Sequence, residues 1–160
     1  VMLIDLNGFK QINDTLGHQF GDLVLRAAAK RLREAVRDSD VVGRWGGDEY
    51  VILLPGLQDA SSVRSSAERI AGVLSDTPIA GYVSIGAAIG AALFPRHGAT
   101  LDELIRNADE AMYEAKTTGV THRLATPLGL TSQRSDVGDP SRRYSGPDRR
   151  RSTADDVENV

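Results

Sequence analysis

The sequence predicts an α/β domain with a mixed central β-sheet flanked by helices, and three observations carry that prediction. The chain opens on an uninterrupted apolar run, Val1-Met2-Leu3-Ile4, the pattern of a strand buried on both faces. Two short apolar runs, Val41-Val42 and Val51-Ile52-Leu53-Leu54, flank Gly46-Gly47 at hairpin separation. Between and beyond these lie stretches whose apolar residues recur at helical spacing. A helix follows the first strand whereas the hairpin is antiparallel, so the sheet cannot be purely parallel.

Taken in order, the first strand covers Val1 to Leu6, meets the acid Asp5 near its end and is broken by Asn7-Gly8. Phe9 to Gly21 is polar and irregular, as in a functional loop or short helix. From Asp22 to about Arg37, Val24, Ala28, Leu32, Ala35 and Val36 define an amphipathic helix. After the hairpin, Ala60, Val63, Ala67, Ile70 and Leu74 define a second helix from about Gln58 to Ser75, with Asp59 as a candidate N-cap.

Gly81 to Phe94, bounded by Pro78 and Pro95, reads as one long or two short buried strands. Its Ile85-Gly86 and Ile89-Gly90 pairs point to a bulge or a close backbone approach. Thr100-Leu101-Asp102-Glu103 has the form of a capping box and opens a third amphipathic helix that ends near Thr118-Gly119. Past about Ala125 apolar periodicity is lost. Residues 125–160, including Arg149-Arg150-Arg151, read as a disordered polar tail or linker, because so few apolar side chains cannot offset the entropy of ordering.

The bulk composition excludes several classes. One core and one domain suit 160 residues with 41% hydrophobic content. A net charge of -3 gives no general electrostatic case for nucleic acid as a partner. The absence of cysteine removes disulfides, thiolate ligands and thiol nucleophiles, in keeping with a cytoplasmic setting. No apolar run reaches the roughly 18 to 20 residues of a membrane span. Because the chain begins directly on a buried-strand pattern, the expectation is a piece of a longer protein with an anchor or sensor upstream.

Chemistry concentrates in Arg44-Trp45-Gly46-Gly47-Asp48-Glu49-Tyr50 and in Asp5. Two acids at the ends of neighbouring strands either hold Mg²⁺, which takes oxygen ligands and keeps positions for water and phosphate, or are solvated loop-end acids. Identity favours the first reading. Asp5-Leu6-Asn7-Gly8-Phe9-Lys10-Gln11-Ile12-Asn13-Asp14, then Gly17-His18, Gly21-Asp22, the Arg44–Tyr50 stretch and Ala108-Asp109-Glu110-Ala111-Met112-Tyr113-Glu114-Ala115-Lys116, in this order, resemble the GGDEF family of diguanylate cyclases. The resemblance covers roughly residues 1–123 and leaves the tail outside. It assigns residues 1–124 to such a domain lacking the family's N-terminal helix.

What the resemblance implies is an adenylyl-cyclase-like, polymerase-palm (ferredoxin-like) fold that condenses two GTP into cyclic di-GMP and two pyrophosphates. The metal would be Mg²⁺, with Mn²⁺ as an alternative, held by Asp5, Asp48 and the Leu6 carbonyl. Glu49 would assist the metal or activate the ribose 3′-hydroxyl. Asn13 and Asp22 would read guanine, Phe9, Lys10 and Lys116 would line the triphosphate, and Gly46-Gly47 would leave it room. Two subunits would face each other as an antiparallel homodimer, usually brought together by an upstream sensory domain. Arg37 and Asp40 match the family's inhibitory RxxD motif, making cyclic di-GMP an allosteric ligand as well as the product; Arg69 would contribute. The alternative implied is a catalytically weak module that binds GTP or cyclic di-GMP.

Four positions depart from the family pattern. Asn7-Gly8 replaces an acid and a bulky residue, Tyr50 replaces phenylalanine, and Val120 stands where an arginine usually holds phosphate, with Arg123 a candidate substitute. His18 fits a structural role in the Asn13–Asp22 loop.

Overall fold

The structure, a computed structural model, describes residues 1–127. The polar tail expected beyond them lies outside the described residues, although Ala125 is still buried and donates its amide to the Ala91 carbonyl at 2.8 Å. Along the chain come β1 (Met2–Leu6), α1 (Phe9–Leu16), α2 (His18–Glu34), β2 (Val41–Gly46), β3 (Glu49–Leu53), α3 (Ala60–Ser75), β4 (Ala87–Ala91), α4 (Leu101–Thr118) and β5 (His122–Leu124). The sheet runs β2-β3-β1-β4-β5, with β5 parallel to β4 and the other pairings antiparallel, so it is mixed and flanked by helices as expected.

Alternation along β1 sorts the core into two layers. Met2, Ile4 and Leu6 face α2 and α3, joining Val24, Leu32, Ile70 and Leu74. Leu3 faces the other way and packs with Ala88 and Ala92 beneath Ala108, Met112 and Ala115 of α4. Asp5 shares the α4 side with Leu3, which decides whose company its carboxylate keeps.

Several local readings are realised. Asp59 caps α3 by accepting from the Ser62 amide at 2.8 Å. Its carboxyl is held at about 2, chiefly by the Ser61 hydroxyl, then by the Ser62 amide and hydroxyl. Thr100 and Glu103 form the capping box of α4, and Gly119 ends that helix in the left-handed region at φ 69°. Gly90 explains why one Ile-Gly pair is present. A Cβ there would lie 2.0 Å from the Ala108 carbonyl oxygen and 2.3 Å from the Met112 amide, so β4 and α4 touch backbone to backbone. The β1–β4 register is regular, so this is close approach and not a bulge.

Other elements differ from the sequence reading. The Phe9–Gly21 stretch is helical on both sides of Gly17, so the second helix begins at His18, before Asp22, and His18 is exposed there. Only Ala87–Ala91 of the Gly81–Phe94 run is strand, and β5 adds a short edge that three residues of pattern could not reveal. Tyr50, which stands in place of the family's phenylalanine, is fully buried. Its hydroxyl donates to the Leu25 carbonyl at 2.8 Å, which satisfies the polar group that replaces phenylalanine.

His97 was silent in the sequence and is completely buried in the turn after β4, where its Nδ1 accepts from the Leu93 amide at 2.8 Å. Burial, reinforced by Arg96 and the amino terminus, lowers its pKa below the ordinary 6.5. The unfolded chain therefore takes up a proton at this site near pH 6.5 that the folded protein resists. Stability from this group is fully present above that pH and declines as the pH falls towards the folded value. Thermal melts should thus drop between pH 7.5 and pH 5.5, and His97→Gln should flatten that part of the profile.

Candidate active site

The acids gather at one end of the sheet. Asp5 is directly opposite Glu49 across the β1–β3 ladder and opposite Ala88 across β1–β4. The Leu6 amide donates to the Asp48 carbonyl at 3.2 Å, so the turn before β3 is tied to the end of β1. Asp5 and Leu6 at the end of β1, Asp48 in the turn and Glu49 at the start of β3 therefore form one cluster. Asp5 is only 7% exposed, and Lys116 of α4 closes on it, with Nζ 2.8 Å and 2.9 Å from the two carboxylate oxygens. The lysine was expected on the triphosphate; here it meets the acid.

The hairpin tip is held by a residue whose role the sequence did not disclose. Arg44 directs Nε and one terminal nitrogen onto the Gly47 carbonyl at 2.9 Å and 2.6 Å, a two-pronged contact that pins the tip. Gly47 adopts φ 47°, and the β2–β3 register slips between Arg44 and Gly46. The bulged residue, Trp45, is half-buried against the α4-side layer. Arginine two residues before a Gly-Gly turn was the available signal.

A second corner forms where α1 meets α2. A Cβ on Gly21 would fall 1.9 Å from Asn13 Oδ1 and 3.3 Å from Phe9 Cζ, so both side chains lie over this glycine beside Asp22. Phe9 begins α1 with only Asn7 and Gly8 separating it from β1, and Lys10 is exposed on the same first turn. The first amides of α1, which lack intrahelical partners, thus lie near the end of β1.

Arg37 and Asp40 are elsewhere. Asp40 immediately precedes β2, at the end of that strand opposite Gly46. Its carboxylate is buried and accepts from the Arg37 amide at 2.9 Å, while the Arg33 guanidinium donates to its carbonyl at 2.8 Å. Asp40 shapes the turn, and the Arg37 side chain is the exposed member of the pair. Arg69 is exposed on α3.

The donor set suits a hard divalent cation, since Asp5, Asp48 and the Leu6 carbonyl offer oxygen only. Among the described residues no group of three or more His, Asp or Glu could hold a metal ion, so a cation here would complete its shell with water or phosphate. That Asp5 already draws an ammonium into contact shows that the position favours positive charge. A groove of about 960 Å³ between α3 and the β4–β5 edge reaches Asn7 and Lys116, and Val120 and Arg123 also line it. Arg123 donates to the Thr118 hydroxyl at 3.4 Å. Among the described residues no helix is long and apolar enough to cross a membrane.

A mixed five-stranded sheet with an acid cluster at the end of its central strands defines a palm-like α/β domain. The chain belongs to the GGDEF family, whose description, "Diguanylate cyclase, GGDEF domain", matches residues 1–122. It is 42% identical over 120 residues to the bifunctional diguanylate cyclase/cyclic di-GMP phosphodiesterase MucR of Pseudomonas aeruginosa, covering 74% of this chain and 18% of MucR. It is 37% identical over 120 residues to the cyclic di-GMP phosphodiesterase NbdA of the same organism, covering 74% of this chain and 15% of NbdA. The crystal structure of the GGDEF domain of TpbB, also from Pseudomonas aeruginosa, superposes with a TM-score of 0.73 at 41% identity, covering 78% of this chain and 80% of that one. The chain thus spans less than a fifth of the length of MucR or NbdA.

Proposed function

We propose that this chain is a diguanylate cyclase domain that condenses two GTP molecules into cyclic di-GMP and two pyrophosphates, Mg²⁺-dependently, across an antiparallel homodimer. The observation that carries the reading is the gathering of Asp5, Leu6, Asp48 and Glu49 at the adjoining ends of β1 and β3 and the turn before β3, in a chain of this family. Bound metal would supply charge neutralisation at the α-phosphate. Asn13 and Asp22 hold guanine through donor and acceptor edges, with Phe9 against them. Lys10, Lys116 and the first amides of α1 neutralise the triphosphate, and Gly46-Gly47 give it room. Glu49 accepts the 3′-hydroxyl proton or supports the metal. The 3′-oxygen of one nucleotide then attacks the α-phosphorus of the other, and pyrophosphate leaves in line. Repeating the step from the facing subunit closes the ring.

In this reading the domain works in the cytoplasm, and an input domain in the longer protein brings two copies together. Cyclic di-GMP also binds at Arg37, where Asp40 fixes the turn that presents the guanidinium. Two subunits per product predict a rate that rises with the square of protein concentration while the protein is mostly monomeric. A turnover titration with GTP, and with ATP as the control for guanine recognition, tests this. A rate strictly linear in protein over that range contradicts the shared site.

Gly21→Ala tests the guanine corner separately. The added Cβ displaces the Asn13 amide, whose loss as a partner is worth roughly 1 to 3 kcal/mol, so GTP affinity should fall about tenfold. The clash is with a movable side-chain end, so the melting temperature should change by only a few degrees. Calorimetry and thermal melts of the same samples check both.

A second reading, a module that binds nucleotide without turnover, draws on the similarity to NbdA, which is named a phosphodiesterase, and on Val120. GTP binding without product in an enforced dimer would select it.

A further inference from the structure

Leu6 and Asp48 are the hydrogen-bonded pair of the β1–β3 ladder at this end, which makes Asp5 and Glu49 the adjacent non-hydrogen-bonded pair, where opposed side chains come closest. Like charges directly opposite each other repel. With its side chain only 10% exposed, Asp5 is weakly screened by water, so the repulsion calls for a cation. Lys116 supplies it from 111 residues away in sequence, touching both oxygens of Asp5. Its own side chain is 51% exposed, so the ammonium reaches the acid from the open side and has room to swing away.

We propose that Lys116 is a resident counter-ion that competes with divalent metal for Asp5. The ammonium neutralises the acid while the nucleotide is absent and leaves it when phosphate draws the lysine outward. This inference rests on Asp5 being a metal ligand. Its consequence is coupling: bare metal binds weakly because it must displace an ion pair, whereas metal and triphosphate favour each other's binding by the same factor. One lysine would thereby hold an acid pair together in the empty protein and bind phosphate in the loaded one.

The test is Mn²⁺ binding to the nucleotide-free 160-residue protein, followed by electron paramagnetic resonance. Lys116→Met should bind Mn²⁺ about tenfold more tightly than wild type, because the metal no longer competes with an ammonium. Lys116→Arg should stay close to wild type, and adding Asp5→Asn should abolish the gain. Melting temperature gives a second readout. Lys116→Met should melt lower without metal, with the acids unbalanced, and Mn²⁺ should raise its melting point by several degrees more than that of wild type. Equal or weaker Mn²⁺ binding by Lys116→Met, with binding still dependent on Asp5, would overturn the exchange and leave the metal site standing. Mn²⁺ binding indifferent to Asp5→Asn would overturn both.

Discussion

With Asp48 replaced by alanine, cyclic di-GMP formation is expected to fall by about 10³-fold, with little change in folding. The side chain stands in a two-residue turn and is only partly buried, so its removal opens no cavity. The bond that ties the turn to β1 uses the Asp48 backbone carbonyl, which alanine retains. In the proposed mechanism the substitution removes one of two carboxylates that hold charge against the reacting phosphate, and loss of one such preorganised electrostatic group costs about two to three powers of ten in rate. On the proposed mechanism GTP binding should weaken much less than turnover, because the residues proposed to read guanine, Asn13 and Asp22, lie apart from Asp48 at the α1–α2 corner. Rates from product chromatography, beside binding isotherms and melting curves, separate these effects. A fall in melting temperature as large as the fall in rate would show that the residue serves the fold instead.

Gly90→Ala is expected to be the most damaging change to the fold. The new methyl would enter the space of two backbone atoms of α4, which cannot rotate away as a side chain can, so α4 must shift off the sheet. Overpacking of this kind costs about 3 kcal/mol or more, or a melting temperature lower by about 10 °C in a domain of this size. Because α4 also carries Lys116, the displacement should loosen the contact with Asp5 and reduce activity in the fraction that remains folded. Gly86→Ala is the control. A Cβ there meets only the Asn7 side chain, at 3.2 Å, and its cost should be far smaller.

Much of this arrangement was legible before any coordinates. Local rules suffice where a single element decides its own form: the apolar β1, the hairpin, Asp59 as a cap, the Thr100–Glu103 box and Gly119 as a terminator all depend on residues within a few positions. The boundary at His18 was missed because the polar face of α1 and the start of α2 bury few residues and so show little period; Gly17 then parts two helices, not a loop and a helix. Strand β5 escaped because its placement depends on the β4 edge and not on its own three residues. The pairing of Lys116 with Asp5 and the burial of His97 are set by tertiary packing, whereas the Asp40 carboxylate is turned by a local bond from the Arg37 amide that apolar periodicity does not reveal. The acids themselves were found by their resemblance to a family, and the structure adds that β1 and β3 put Asp5 and Glu49 in register.

The central claim is that this acid cluster joins two GTP molecules. Its most direct measurement is GTP turnover by the 160-residue chain fused to a dimerising helix, with Mg²⁺ present and products separated by chromatography. The account predicts cyclic di-GMP and pyrophosphate in a ratio of one to two, lost with Asp48→Ala. A folded, dimeric protein that binds GTP and leaves it unchanged would contradict it.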